Sequence, residues 1–443
     1  MRGQGHWFFK NSALFLLEIF YMRLASSAAL FTCHGAVPKS SWALGVVLAG
    51  LLVSGLPSRA LRADTILDSG TTTVSSGTNF GGILTVGFTG TATLEVIAGG
   101  YATNSAGYLG YYAGSDGTAT VSSGTWANGG NLGVGIHGIG TLNVTGGSVT
   151  SSFGNIGGGV GSVGTATVSS GTWANGVDLT VGYNGTATLT MSGGLVSVGG
   201  TLSKGGNGTI NLNSGGTLQI GVGGTTGVLD VSTLTNNGTL IFNRSDASTY
   251  SGSISGTGAV TKQGGGTLTL DGANSYSGVT TISGGVLALS GTGSIGTGDL
   301  NLGSGGVFDL TTLASGTYSL PSTGDLIGSG TLTGNGHTLA VLGSFLPGNS
   351  PGTITLDTGF TLDLSGATST TFEVTDPLFT AGTYDLVNGN GSMIFGGILN
   401  LASSGTFADG TDVLQLFSNT GGRNPSILSP AVTTATGTTF WAA

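Results

Sequence analysis

The stretch GTATVSSGTWAN stands at residues 117–128 and again, letter for letter, at residues 164–175. Its Gly-Thr opening recurs at Gly90, Gly140 and Gly185, so that successive openings lie 27, 23, 24 and 21 residues apart. A unit of that length, copied in one chain direction, marks a solenoid turn. Within it Thr alternates with aliphatic residues: on a strand, Ala119 and Val121 share one face, and Thr118 and Thr120 share the other. Parallel stacking predicts a column in which Val121 lies beside its equivalents Val144 and Val168 and seals a narrow apolar core. Glycines supply the corners, where Asn128, Asn175, Asn184 and Asn207 are expected in left-handed or Asx-turn positions. The fold class is therefore all-β, a parallel β-helix (β-solenoid), with an antiparallel sandwich of short strands as the competing architecture.

Composition points the same way. Glycine supplies 89 of 443 residues, and each interior glycine costs a helix roughly 1 kcal/mol relative to Ala, which disfavours long helices. Hydrophobic residues make up 38% of the chain, more than a disordered chain needs. Six of the ten basic residues precede Asp64, whereas only Glu18 of the 19 acidic residues does. The remainder carries 18 acidic against 4 basic residues, a net of −14. Nucleic acid is excluded as a partner, because phosphate binding needs clustered Lys and Arg. The lone cysteine, Cys33, also precedes Asp64, so removal of that segment leaves no thiol for a disulfide or a thiolate metal site.

Residues 1–63 read as a leader, with a signal-peptide-like core and cleavage region at 42–63. The apolar run WALGVVLAGLLVSGL at residues 42–56 follows Lys39 and ends at Pro57, and it is shorter than the roughly 20 residues that span a bilayer. Small residues at Ser58, Ala60 and Ala63 offer cleavage positions, and a second apolar run ending beside Met22 suggests a later start of translation. Residues 64–372 form the β-helical repeat region, and residues 373–443 a C-terminal β-rich cap or end region.

Candidate chemistry is sparse. Gly348-Asn349-Ser350-Pro351-Gly352 fits the spelling of a nucleophile elbow, yet Pro351 lacks the N–H that such an elbow aims at an oxyanion, and a structural turn is the better reading. His137 and His337 have no acidic or cysteine neighbours in sequence and read as turn or surface residues. Arg244 and Lys262, with Asp230, Asp246 and Asp271, are the set from which a polysaccharide-cleaving face would have to be built. Trp126 and Trp173 lie 47 residues apart, two coils, either stacked on sugars as an exposed pair or packed over a corner of the coil. No catalytic, cofactor-binding or metal-binding residue is assigned, and the chain is expected not to be an enzyme.

Residues 264–291, GGGTLTLDGANSYSGVTTISGGVLALSG, resemble the autotransporter-associated β-strand repeat through Gly266–Leu270, Asn274, Tyr276, Gly278, Thr280, Thr281, Ile282, Gly285, Leu287 and Leu289. The passage LPGNSPGTITL at residues 346–356 looks like the segment that follows such repeats in autotransporter passengers. The resemblance implies a right-handed parallel β-helix exported through the inner membrane, extracellular or on the cell surface, and associated with the outer membrane. It also implies a structural or adhesive role at the bacterial envelope. Residues 377–443 are too few for the family's translocator barrel, and TTFWAA lacks its final aromatic residue, which leaves a separate outer-membrane transporter as the expected partner, or a periplasmic or surface protein that uses another route, or a shortened gene product. A surface glycan or envelope component is the other expected partner. The alternative function is a carbohydrate-binding or polysaccharide-cleaving β-helix.

Overall fold

Val121 pairs with Val144, and Val144 with Val168, in one parallel ladder. The column begins at Val74 and Val96 and continues to Met191 and Leu212, with no member more than 2% exposed. The expected core is present, built from equivalent residues of successive turns. The computed structural model describes residues 63–348, 351–375, 384–396, 399–403, 417–418, 432–434 and 439–440, all within the unit Ala60–Ala443. The leader's apolar run at 42–56, Cys33 and Met22 lie outside these residues.

The described residues form an all-β solenoid. A second parallel ladder runs through Ala102, Trp126, Val149, Trp173, Val196, Leu218, Leu240 and Val260, then Thr280, Leu300, Leu326 and Phe345. A third joins Leu84, Gly107, Leu132, Gly154, Leu179, Leu202 and Leu229. Parallel pairing crosses Phe372 without a break: the strand Ser369–Val374 pairs with Leu399–Ser403, which pairs in turn with Val432–Thr434. Among the described residues the antiparallel contacts are the pairing of Val432–Thr434 with Thr439–Phe440 and the isolated bridge of Gly328 with Gly348, so the sandwich alternative fails.

The duplicated segment has a packing reason. Coils that carry Trp126 or Trp173 in the second ladder carry Ala119 or Ala166 in the inward column two residues before the first ladder. The coil between them reverses the sizes, with Val149 opposite the tryptophans and Leu142 opposite the alanines. Large residues thus alternate with small ones along the column Leu94, Ala119, Leu142, Ala166, Leu189 and, out of phase with it, along the second ladder from Ala102 to Val196, the pattern that close packing of each cross-section requires. The 47-residue period is two coils because the volume pattern repeats every two coils.

One expectation about asparagine is corrected. Asn128 and Asn175 close the strands Thr125–Asn128 and Val163–Asn175, and these residues are 5% and 1% exposed. They point inward with Asn104 and Ser151 and form a polar seam between coils, because each can pair with the next along the axis. Asn184 and Asn207 do occupy exposed bends or turns.

The corners are fixed by glycine at a recurring place. Gly110 and Gly135 follow the inward Leu109 and Val134 with φ of 66° and 70°. A Cβ on either would strike the carbonyl of the next coil, at Ile139 or Val163, so conformation and space both demand glycine. The Gly-Thr openings answer to the same corner: a Cβ on Gly140 would strike the backbone nitrogen of Gly135.

Candidate functional site

A groove of about 430 Å3 opens on one flank of the early coils. Its floor is an outward-facing column in which Tyr108, Gly133, Asn155 and Thr180 pair one above the next on four successive coils. Strand alternation sets their direction, since the neighbours Leu109, Val134, Ile156 and Val181 are buried. Gly133 interrupts the column. Ile136 and Tyr108 lean over it so closely that a side chain there would meet both.

The next outward positions add Asn131 and Phe153, which pair with each other, and Asp178. Phe153 is 44% exposed. Asp178 is fixed twice: its Oδ1 accepts the Thr201 N–H at 2.7 Å, and its carbonyl accepts the Gly154 N–H at 2.8 Å. The Oδ1 of Asn155 is buried and has no hydrogen-bond partner. That atom is a covered acceptor with an unmet demand on a residue that lines the groove. Tyr108 is held edge-on to Tyr111 at 5.4 Å, and Tyr111 in turn contacts Tyr112 at 5.0 Å and Phe88 at 5.6 Å. The groove therefore presents fixed aromatic surface beside oxygen acceptors.

The residues singled out from sequence go elsewhere. Trp126 and Trp173 are fully buried, which removes the exposed sugar-stacking pair. Each indole N–H instead bonds to the preceding coil, Trp126 to Asn104 Oδ1 at 2.7 Å and Trp173 to Ser151 Oγ at 3.3 Å. Arg244 pairs with Asp246 at 2.8 Å and straps the loop carbonyls of Thr225 and Gly227. Lys262 is inside the solenoid at 2% exposure, its Nζ donating to the carbonyls of Gln263, Gly264 and Gly284. Burial pulls that ammonium down to about 8. Asp271 accepts from Ser290 Oγ at 3.1 Å. Of the five charged residues considered for a cleaving face, only Arg244 and Asp246 are brought together, as a loop brace.

The His337 ring lies between two carbonyls, Nδ1 3.2 Å from that of Asn335 and Nε2 3.1 Å from that of Leu313, and His137 is exposed. No group of three or more His, Cys, Asp or Glu suited to a metal occurs among the described residues. Asn349 and Ser350 of the elbow-like segment lie outside them. Its remaining end is a backbone latch: buried Asp385 accepts the N–H groups of Gly352 at 2.9 Å and Glu373 at 2.7 Å. Desolvation raises the Asp385 carboxyl above its ordinary value despite those two bonds.

Residues 260–289 match the model of the passenger-associated-transport-repeat. This chain carries an autotransporter-associated repeat. In structural terms the repeat is a staple. Asn274 accepts the N–H of Ile254 on one side at 2.8 Å and donates to the carbonyl of Ser294 on the other at 2.6 Å, joining three coils. Tyr276 is fully buried and its hydroxyl lies 2.8 Å from Thr280 Oγ1, while burial pushes the phenol up to about 12. Leu268, Leu270, Ile282, Leu287 and Leu289 fill the core. The repeat is thus a scaffold, and the groove lies outside it.

Over 102 residues, 22% of this chain, the sequence is 38% identical to the adhesin BmaC autotransporter of Brucella suis biovar 1 (strain 1330). The match spans 3% of that adhesin's length. No solved structure matches the chain.

The groove was missed in the sequence because Tyr108, Asn155 and Asp178 belong to no motif. The available signal was aromatic residues at outward positions of the repeat, Tyr108 and Phe153, where neighbouring units place small or polar ones.

Proposed function

We propose that this chain is an exported, passenger-like β-solenoid with an adhesive role at a bacterial cell surface. The observation that supports this reading is the transport repeat at residues 260–289, built without interruption into one parallel stack and accompanied by similarity to an autotransporter adhesin. A stack that grows by nearest-neighbour contacts suits a chain that crosses membranes unfolded and then adds coil upon coil. The leader directs it through the inner membrane, and an outer-membrane translocator, separate or linked, completes the passage. Attachment arises from side chains projecting from the coils. The role is non-enzymatic: four of the five charged residues weighed for a cleaving face are taken up elsewhere, Arg244 and Asp246 in a loop brace, Lys262 in the core and Asp271 in a surface hydrogen bond. Few basic residues argue against nucleic acid as the partner.

Fractionation of the native host tests the reading, with detection in cytoplasm, periplasm, outer membrane and medium. The protein is expected in the outer-membrane or extracellular fraction, and a deletion strain is expected to attach less well. Retention in the cytoplasm alone overturns it.

A further inference from the structure

We propose that the groove over Gly133 binds an uncharged oligosaccharide, with Tyr108 and Phe153 supplying ring faces and Asn155 and Asp178 accepting sugar hydroxyls. The inference rests on the adhesive reading and adds the class of ligand and the place where it binds.

Three observations carry it. First, Asn155 lines the groove and its Oδ1 has no donor within the protein; the atom is covered as it stands, so a turn of the half-buried amide toward the groove brings it a ligand hydroxyl. Asp178 adds a second acceptor: Thr201 occupies its Oδ1, which leaves Oδ2 for the groove. Second, half-exposed Phe153 and the braced ring of Tyr108 offer apolar faces of the kind that pack on the C–H side of a sugar. The Tyr108 brace lowers the ordering cost of binding. Third, there is no Lys or Arg between Arg62 and Lys204, so these coils offer no cation to a carboxylated, sulfated or phosphorylated glycan. The column from Tyr108 to Thr180 covers three coil spacings, about 14 Å, enough for a short run of sugar rings along the axis. The volume, about 430 Å3, falls within the usual range for ligand sites. With Asp178 as the carboxylate among its lining residues, the groove has an acceptor for binding and lacks the carboxylate pair used in glycoside cleavage.

The test is binding of the full-length chain to an array of uncharged oligosaccharides and matched uronic-acid oligosaccharides, followed by calorimetric titration of the strongest hit. Wild type is expected to select uncharged glycans. Phe153→Ala and Asn155→Ala are each expected to weaken binding at least about tenfold. Tyr183→Ala, which removes an exposed aromatic outside the groove lining, is expected to leave it unchanged. Thr180→Trp serves as a second, occluding variant that leaves core residues alone, with circular dichroism confirming the fold of each. Binding that survives both Phe153→Ala and Thr180→Trp overturns the proposal, as does preference for acidic glycans or no binding to any glycan. A chain that reaches the surface and supports attachment, yet binds no glycan, sinks the groove alone. A chain retained in the cytoplasm sinks the adhesive reading, whatever the array shows.

Discussion

The indole N–H of Trp126 donates a 2.7 Å hydrogen bond to Asn104 Oδ1, 22 residues earlier and one coil away, and both side chains are buried. The bond ties a large apolar ring to a polar seam that runs between coils. It makes Trp126 a cross-coil strut: the indole lies over Gly107, where a Cβ would come within 2.9 Å of it, and the same coil carries the small, fully buried Ala119.

That size relationship is testable by exchange. Ala119→Leu alone is expected to overpack the coil and cost about 1–3 kcal/mol. Trp126→Val alone opens a cavity and frees the Asn104 acceptor, costing about 3–5 kcal/mol. The double variant copies the Leu142 and Val149 arrangement of the next coil, so its loss is expected to fall below the sum of the two. Denaturant unfolding of the four proteins measures this, and strict additivity would count against compensating volumes.

Removal of the repeat's staple should be costly. Asn274→Leu leaves the buried N–H of Ile254 and the carbonyl of Ser294 without that partner, at about 1–3 kcal/mol for each group left unsatisfied. Tyr276→Phe, which loses the hydroxyl's contacts with Thr280 Oγ1 and the Gly296 backbone, is expected to cost less, about 1 kcal/mol per hydrogen bond. Melting temperatures in the reverse order would refute the staple.

Lys262 gives a pH signature. Burial holds its ammonium at about 8 against an ordinary 10.5. The unfolded chain therefore binds more protons than the folded one between those values, and the contribution of Lys262 to stability rises with pH across that window. The stability difference between wild type and Lys262→Met is expected to shift in favour of wild type by about 3 kcal/mol from about pH 7.5 to about pH 10.5. A difference that stays flat over this range would show that the ammonium is not desolvated.

Two left-handed glycines separate conformation from space. Gly161, at φ 80°, has nothing within 4 Å of where a methyl would stand, so Gly161→Ala bears backbone strain alone, about 1 kcal/mol. Gly135, at φ 70°, would also strike the Val163 backbone, so Gly135→Ala is expected to cost clearly more. Equal losses in thermal unfolding would deny the close approach of coils at that corner.

The parallel stack was legible because its evidence is local and repeated. Spacing of the Gly-Thr openings and the alternation in GTATV placed Val121, Val144 and Val168 in one column, and the ladder confirms it. The seam was not legible. Asn128 and Asn175 have the composition of turn residues, and only a partner 24 residues away turns them inward. Trp173 likewise looks the same in sequence whether it is a surface platform or a strut.

The amino-acid sequence by itself determined the coil length, the alternating faces and the repeat that joins the coils, because these depend on neighbours along the chain. Tertiary structure alone decided which polar and aromatic side chains lie inside and where an outward column opens into a groove. Those outcomes depend on register between coils, where Tyr108, Gly133 and Asn155 meet across some two dozen residues each, and alternation within a strand carries no record of that distance.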